Sequence, residues 1–481
     1  MIRRQLHEPL QRHFKNFTAL LTSEVLNKAT TLVIYGLVSR NLSVSEFGQL
    51  SLGLMLFYTF QVAATAGLPT IITRAIAQRR NRLDSYCING MATAACSGML
   101  STIAMILLTI LLQYQWQSSM VIFGLALGLI PHGMALVVES VFRGCERMHF
   151  VAISNVTANL VKVIGAVVLF QFDFGILAIT MLLLATRWIA FIVNWICYAT
   201  FVRERSSRIK LKFVRGIFKR SLTFLGIDLV IAVWATIDAL ILSKLATEVE
   251  VGLFSAACQL LQPLLLVYKS VVSAIFPSLC ARAQSGTNNL LIASRRTITL
   301  LLVIGTPLIA ALFCFPGLLL QLCYGESDIR SAAGLLKIVA GILVFQAFTS
   351  VLGHAFWASS QERTALRIVV VNLIASTVLG FALIAYFGVV GAAASVLAVG
   401  AIDTVQHILA AHLIFRQTIL RAHMALPLIG GATVLLIAHL THYSLLSFIA
   451  ASCIYLLVVS MFLLWRFREH FTLQQGAQAS P

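Results

Sequence analysis

Long apolar runs follow one another along almost the whole chain, and few folds can accommodate them. A bilayer core of ~30 Å takes roughly 20 apolar residues as a helix. Runs of that size fall near 17–39, 48–68, 87–112, 119–142, 151–170, 174–200, 221–243, 252–279, 297–323, 333–357, 364–386, 388–414, 423–441 and 444–465. They are continuous, without the short alternating segments of a membrane barrel. Composition leads the same way: 59% of residues are hydrophobic and 11% charged, where a soluble domain carries about 25% charged. A chain this poor in charge cannot coat a globule, so lipid must be its solvent. Backbone groups in lipid must then bond within the segment, which dictates helices. The expectation is an all-α polytopic membrane protein with about fourteen spans.

Charge placement tests this scheme independently. The net charge is +18, which in a soluble protein would suggest nucleic acid. Here the cations cluster on alternate loops. With a cytoplasmic N-terminus, inside segments carry Arg3, Arg4, Arg12 and Lys15, then Arg74 to Arg82, Arg143 and Arg147, the basic run Arg203–Arg220, Arg282 to Arg296, Arg363 and Arg367, Arg416 and Arg421, and Arg466 and Arg468. Outside ends carry only Arg40, Lys244, Arg330 and Lys337. Such a bias sets orientation, and dropping one span would invert every later loop. An even count with both ends cytoplasmic follows. The excess positive charge reads as topology and as contact with anionic headgroups, and no nucleic-acid partner is expected. The basic, polar start followed by a long apolar run does not resemble a cleavable leader.

The chain also repeats. Ser39-Arg40 leads to Ser43, Glu46, Gly48, Leu50 and Ser51; at an offset of 204, Ser243-Lys244 leads to Thr247, Glu250, Gly252, Phe254 and Ser255. The same offset carries Glu24 onto Asp228. The expected layout is a segment 1–16, a six-helix bundle 17–200, a basic linker 201–220, a second six-helix bundle 221–414, two further helices over 415–465, and a cytoplasmic tail 466–481. Duplicated halves are a mark of transporters that rock around a central site.

Ionisable residues at membrane depth are costly and are candidates for function. Glu24 and Lys28 share a helix face, with Ser23 and Asn27 extending the polar stripe. Asn155, Asn159 and Lys162 share another, and Lys162 lies too deep to snorkel easily. Arg187 and Lys269 are also deep. These cations either pair with acids on other helices or bind an anionic substrate; an Arg suits phosphate through its planar fork. Asp228, Asp238 and Asp403 (four residues before His407) join Glu24 as candidates for coupling to an ion, since a buried carboxylate can carry a proton or hold a cation. Against this stands the plainer possibility that each is a structural pair. Glu139 is expected to pair with Arg143, and His132 and His354 to be satisfied by hydrogen bonds. Pro69, Pro131, Pro263, Pro277 and Pro307 fall in or beside spans, where they can kink helices. The nine cysteines form no CxxC pairs and read as small hydrophobes.

There is no GxxxxGK[ST], HExxH or GxSxG, and no metal-type Cys/His spacing, so neither a built-in ATPase nor a metal site is expected. The outer loops are short, where a glycan polymerase would display a catalytic loop. The chain does not read as an enzyme.

Several motifs then resemble a known family. A polar first helix leads to Leu42-Ser43-Val44-Ser45-Glu46-Phe47-Gly48, then to an apolar helix ending Ala66-Gly67-Leu68-Pro69, then Arg74. In the second half, Tyr324-Gly325-Glu326 precedes Ala332-Ala333, Ser359-Ser360-Gln361-Glu362-Arg363 makes a short turn, and Phe387-Gly388-Val389-Val390-Gly391-Ala392-Ala393 ends a helix. This pattern, covering most of 15–415, resembles the O-antigen and polysaccharide-unit flippases of the multidrug/oligosaccharidyl-lipid/polysaccharide exporter superfamily. The resemblance implies two six-helix bundles in a V around a cavity, in a bacterial inner membrane. It implies an undecaprenyl-diphosphate-linked oligosaccharide as cargo, moved outward for O-antigen, capsule or exopolysaccharide assembly, with polymerase and chain-length machinery as partners. No cofactor is implied beyond a proton or sodium gradient. The family's cationic cavity is consistent with Lys28, Lys162, Arg187 and Lys269 meeting the diphosphate beside Asn155 and Asn159. The alternatives are a lipid II flippase and a cation-coupled multidrug exporter of the same superfamily.

Overall fold

A computed structural model of the protein describes residues 26–78, 82–203, 208–325 and 328–478. Among these residues every regular element is helical. Glu24, Ser23 and the segment 1–16 lie outside the described residues.

Helix α1 is described over 26–41. It turns at Leu42–Ser43 into α2 (Val44–Thr65), where Ser43 and Glu46 form a capping box. Ala66 then adopts a left-handed conformation (φ 49°) and Gly67 follows with φ 66°. The chain restarts as α3 (Leu68–Gln78). Pro69 sits in its first turn, where a missing N–H costs nothing. One expected span thus ends at this break, and α3 is a separate element.

Next come α4 (Leu83–Leu111), α5 (Trp116–Ala126), α6 (Leu129–Gly144), α7 (Met148–Gln171) and α8 (Ile176–Phe201). Helix α9 (Leu211–Trp234) begins inside the segment read as a linker. Asn89 Oδ1 accepts from the Lys210 N–H (2.7 Å), and Phe213 packs edge-on against Tyr86. Those contacts pin the first turn. A break at Ala235–Thr236 separates α9 from α10 (Ile237–Leu245).

The remaining long elements are α11 (Glu248–Gln284), α12 (Thr287–Cys314), α13 (Pro316–Tyr324), α14 (Ala333–Ala340), α15 (Ile342–Ala358), α16 (Glu362–Phe415), α17 (Ala425–Leu440) and α18 (Leu445–Gln478). Pro263 and Pro277 lie inside α11 and Pro307 inside α12.

Nine helices among the described residues are long and apolar enough to cross a membrane, or ten if the bent pair Ile329–Ala340 and Ile342–Ala358 is one span. One of them is the 54-residue α16. At 1.5 Å per residue it would be about 80 Å long, more than two bilayer cores. It is broken at Gly388, whose φ 56° and ψ −134° are not helical, where two spans were expected to meet. Other spans are split at α5–α6, α9–α10 and α12–α13 by short breaks. The α5–α6 pair still counts as one span, Trp116–Gly144, and α12 counts by itself, and the number fourteen does not emerge from helix length alone.

The chain forms two compact units. The first takes Met1–Gln259, Cys323–Arg330 and Ser376–Ala392. Its core joins Leu68, Ile72 and Ile76 of α3 to Cys87 and Met91 of α4, Val138 and Phe142 of α6, Tyr198 of α8 and Ile217 of α9. The second takes Leu260–Leu322, Ser331–Ala375 and Ala393–Pro481. There Val303 and Ala310 of α12 pack with Val434 and Ala438 of α17 and with Phe448 and Tyr455 of α18. The outward faces are apolar: Ile103, Leu107, Ile110 and Leu111 of α4 are all more than half exposed. Such a surface suits lipid, not water.

Candidate functional site

The repeated turns seen in the sequence fold alike. Ser43 N–H and Oγ donate to Glu46 Oε2 (3.0 and 2.9 Å), and Glu46 N–H donates back to Ser43 Oγ (3.2 Å). Thr247 and Glu250 repeat this at 2.9, 3.0 and 3.3 Å. Each box satisfies orphan donors at a helix start. The two starts also lie against each other. A Cβ on Gly252 would sit 2.8 Å from Val44 O and 3.2 Å from Gly48 N, and one on Gly48 would strike the Glu248 carbonyl. Glycine at both positions lets the backbones of α2 and α11 approach this closely. Glu248 fastens the junction. It accepts from Ser45 Oγ (3.0 Å), from Gln49 Nε2 (2.8 Å) and from Ser118 Oγ. Lys244 donates to Leu112 O and lies over the Tyr114 ring, 3.4 Å from its centroid.

Deeper in the same unit, α1, α2, α5, α7 and α8 enclose a cavity. Thr31, Tyr35, Phe57, Tyr58, Lys162 and Arg187 contribute its polar and aromatic lining. Lys162 is mid-helix on α7 and Arg187 mid-helix on α8. Lys162 Nζ donates to Asn159 Oδ1 (3.0 Å), and Asn159 Nδ2 donates to Asn27 Oδ1 (2.5 Å). The Arg187 guanidinium lies over Phe57, 4.9 Å from its centroid, a cation–π contact that needs no anion. Neither cation pairs with a carboxylate among the described residues. The nearby acid Glu139 is engaged elsewhere, with Arg143 at 3.2 Å, as expected from their spacing. The cavity encloses about 30 Å³, room for about one or two waters.

Of the remaining residues singled out in the sequence, Asn155 is half-buried on the Lys162 face of α7. Lys28 on α1 and Lys269 on α11 are exposed and do not line this cavity. Asp228 is exposed on α9, and Asp238 is buried on α10. Asp403 is buried in the second unit, where it meets His407 and Asn372. His354 Nδ1 meets Ser350 O at 2.7 Å, whereas the His132 ring stands edge-on to Phe57. Sequence reasoning missed Tyr35, Phe57, Tyr58 and Glu248. The aromatic residues look like ordinary lipid-span residues in one dimension; only α5, α7 and α8 closing over them makes a cavity wall.

The fold defines a multi-pass α-helical membrane protein. A family model described as Polysaccharide biosynthesis protein matches residues 13–284, over half of the sequence, and the chain belongs to that family. A relative in Haloferax volcanii, the "Probable low-salt glycan biosynthesis flippase Agl15", is 25% identical over 286 residues. That match spans 59% of this chain and 59% of the relative. Among solved structures, the lipid II flippase MurJ in an inward closed conformation aligns with a TM-score of 0.71 at 12% identity, over 94% of this chain and 99% of that one. An inward-facing multidrug resistance MATE family transporter of the MOP superfamily aligns at 0.66 and 14% identity, over 83% and 98%. At such identities the likeness is one of fold: the architecture is that of the MOP superfamily.

Proposed function

We propose that this chain flips a lipid-linked oligosaccharide, carried on undecaprenyl diphosphate, from the cytoplasmic to the outer leaflet of a bacterial inner membrane. Both termini would face the cytoplasm. The observation that carries the reading is the pair Lys162 and Arg187, which share a cavity inside an apolar bundle with no carboxylate of the described residues bound to either. Two cations at membrane depth without acids are expensive. An anionic diphosphate arriving between them offsets that cost through charge-assisted hydrogen bonds. Family membership and the glycan-flippase relative support the same substrate class.

On this reading the diphosphate and first sugar enter from the inner leaflet while the polyprenyl tail stays in lipid. A cavity of about 30 Å³ holds water but no diphosphate, so loading requires α1 and α2 to part from α7 and α8. Tyr35 and Tyr58 then line the path of the sugar. Asn155 and Asn159 position Lys162. The two repeated halves would rock, exposing the head outside, where polymerase and chain-length machinery take it for O-antigen, capsule or exopolysaccharide. The chain carries its cargo and makes or breaks no bond in it.

The test is to delete the gene in its host and extract surface glycan together with lipid-linked intermediates. Loss of surface glycan with accumulation of undecaprenyl-linked units, both restored by the chain, supports the proposal and identifies the glycan. Accumulation of lipid II instead would move the substrate to the peptidoglycan precursor. Unchanged glycan with new sensitivity to cationic drugs would replace the flippase by a drug exporter.

A further inference from the structure

A cluster of arginines lies in the second unit, at the end that the loop charges mark as cytoplasmic. Arg295 sits about 12 Å into α12, counted from Thr287, and is only 7% exposed. Its Nη2 donates to Thr418 O (2.6 Å), in the connection from α16 to α17. Its Nε is buried without a hydrogen-bond partner. The turn Ala422–Met424 of the same connection packs against α12. Arg421, just before that turn, is exposed and close enough to repel the Arg295 charge. Arg282, in the last turn of α11, stands in the same relation to Arg296. The segments that meet here hold no acid of their own: no Asp or Glu occurs between Glu250 and Glu326, or between Asp403 and Glu469. No carboxylate of the described residues pairs with Arg295 or Arg421.

We infer that Arg295 and Arg421 form a binding site for one phosphate group, the headgroup phosphodiester of an anionic phospholipid, with Arg296 and Arg282 at its edge. The site does not rest on the flippase reading. A guanidinium offers five N–H donors in a planar fork, and a charged donor left buried and unpaired is costly. A second guanidinium beside it adds repulsion. A phosphate meets both needs. Its oxygens accept from Nε and from the Nη hydrogens that Thr418 leaves over, in the two-point geometry that suits this pair of groups, and its charge offsets the repulsion. The flanks favour a lipid over a free phosphate. Leu300 lies one turn beyond Arg296 on the same face of α12 and is 43% exposed; Leu420, next to Arg421, is 53% exposed. Acyl chains can lie on this apolar surface while the headgroup stays at the arginines, as in other basic pockets between membrane helices. A lipid held there ties the start of α12 to the connection between α16 and α17.

The test uses the full chain, purified in detergent and stripped of lipid. Dioleoylphosphatidylglycerol, dioleoylphosphatidylcholine and inorganic phosphate are the probes, followed by native mass spectrometry and thermal unfolding. The glycerol lipid should be retained and should raise the melting temperature; the choline lipid should do neither. Arg421→Gln should weaken retention of the tightest-bound phosphatidylglycerol roughly five- to tenfold, and Arg295→Gln at least as much. Arg421→Gln decides the matter, because it leaves the bond from Arg295 to Thr418 in place, whereas Arg295→Gln also removes a tie within the fold. Lys212→Gln, in the basic first turn of α9, is the control and should leave retention unchanged. Equal retention of the two lipids, or equal losses in Arg421→Gln and Lys212→Gln, overturns the site. Stabilisation by millimolar inorganic phosphate that matches the lipid overturns the lipid as occupant and puts a free anion in its place. None of these outcomes depends on whether a glycan lipid is flipped, so the site and the flippase reading fail separately.

Discussion

Lys162 and Arg187 are the residues on which the transport reading turns. A hydrogen bond to a charged group contributes about 1.5–3 kcal/mol, so Lys162→Ala or Arg187→Ala should slow flipping by roughly 10- to 100-fold. Membrane abundance should hold, because truncation removes a charge at membrane depth and leaves no acid of the described residues unpaired. Lys162→Arg should recover much of the rate. Flipping of a labelled glycan lipid in proteoliposomes, set against immunoblot abundance, checks this; normal flipping in both alanine variants would refute the cationic cavity. Glu139→Gln belongs to another category. It breaks the pair with Arg143 at 3.2 Å, and a loss of thermal stability larger than any loss of rate per folded molecule is expected.

At the scale of elements, the duplicated turn makes its own prediction. Ser43→Ala and Thr247→Ala each remove one capping box, at a cost of about 1 kcal/mol. The two losses should be alike, since the boxes are alike. Gly48→Val and Gly252→Val should be far worse, because their Cβ atoms meet backbone rather than flexible side chains. Thermal unfolding in detergent should rank them so; a mild Gly252→Val would mean that α2 and α11 do not cross this closely. The turn was legible in the sequence because capping is local, read from residues three apart. Its partner Glu248 was not legible. Its counterpart at the repeat offset is Val44, so the repeat itself offered no sign of an acid tying Ser45, Gln49 and Ser118 together.

For the molecule as a whole, the alternation of basic and neutral loops predicts topology. After replacement of the nine native cysteines, Arg208→Cys and Arg363→Cys should react with an impermeant thiol reagent only from the cytoplasmic side, and Lys244→Cys and Arg330→Cys only from the outer side. Labelling of Arg330→Cys from the inside would mean an even number of crossings before it. That the chain lives in lipid, as helices, was determined by the sequence alone, since transfer into a bilayer depends on the local sum of apolar residues and on the charges flanking them. The duplicated start of each half and the break at Gly388 were legible for the same local reason. Which charges meet was decided only by tertiary structure. Lys162 and Arg187 come from different helices, as do the aromatic rings beside them, and Asp403 reaches Asn372 only because the chain reverses between them. Helix periodicity tells which residues share a face; it carries no information about which face is turned to lipid and which to a neighbouring helix.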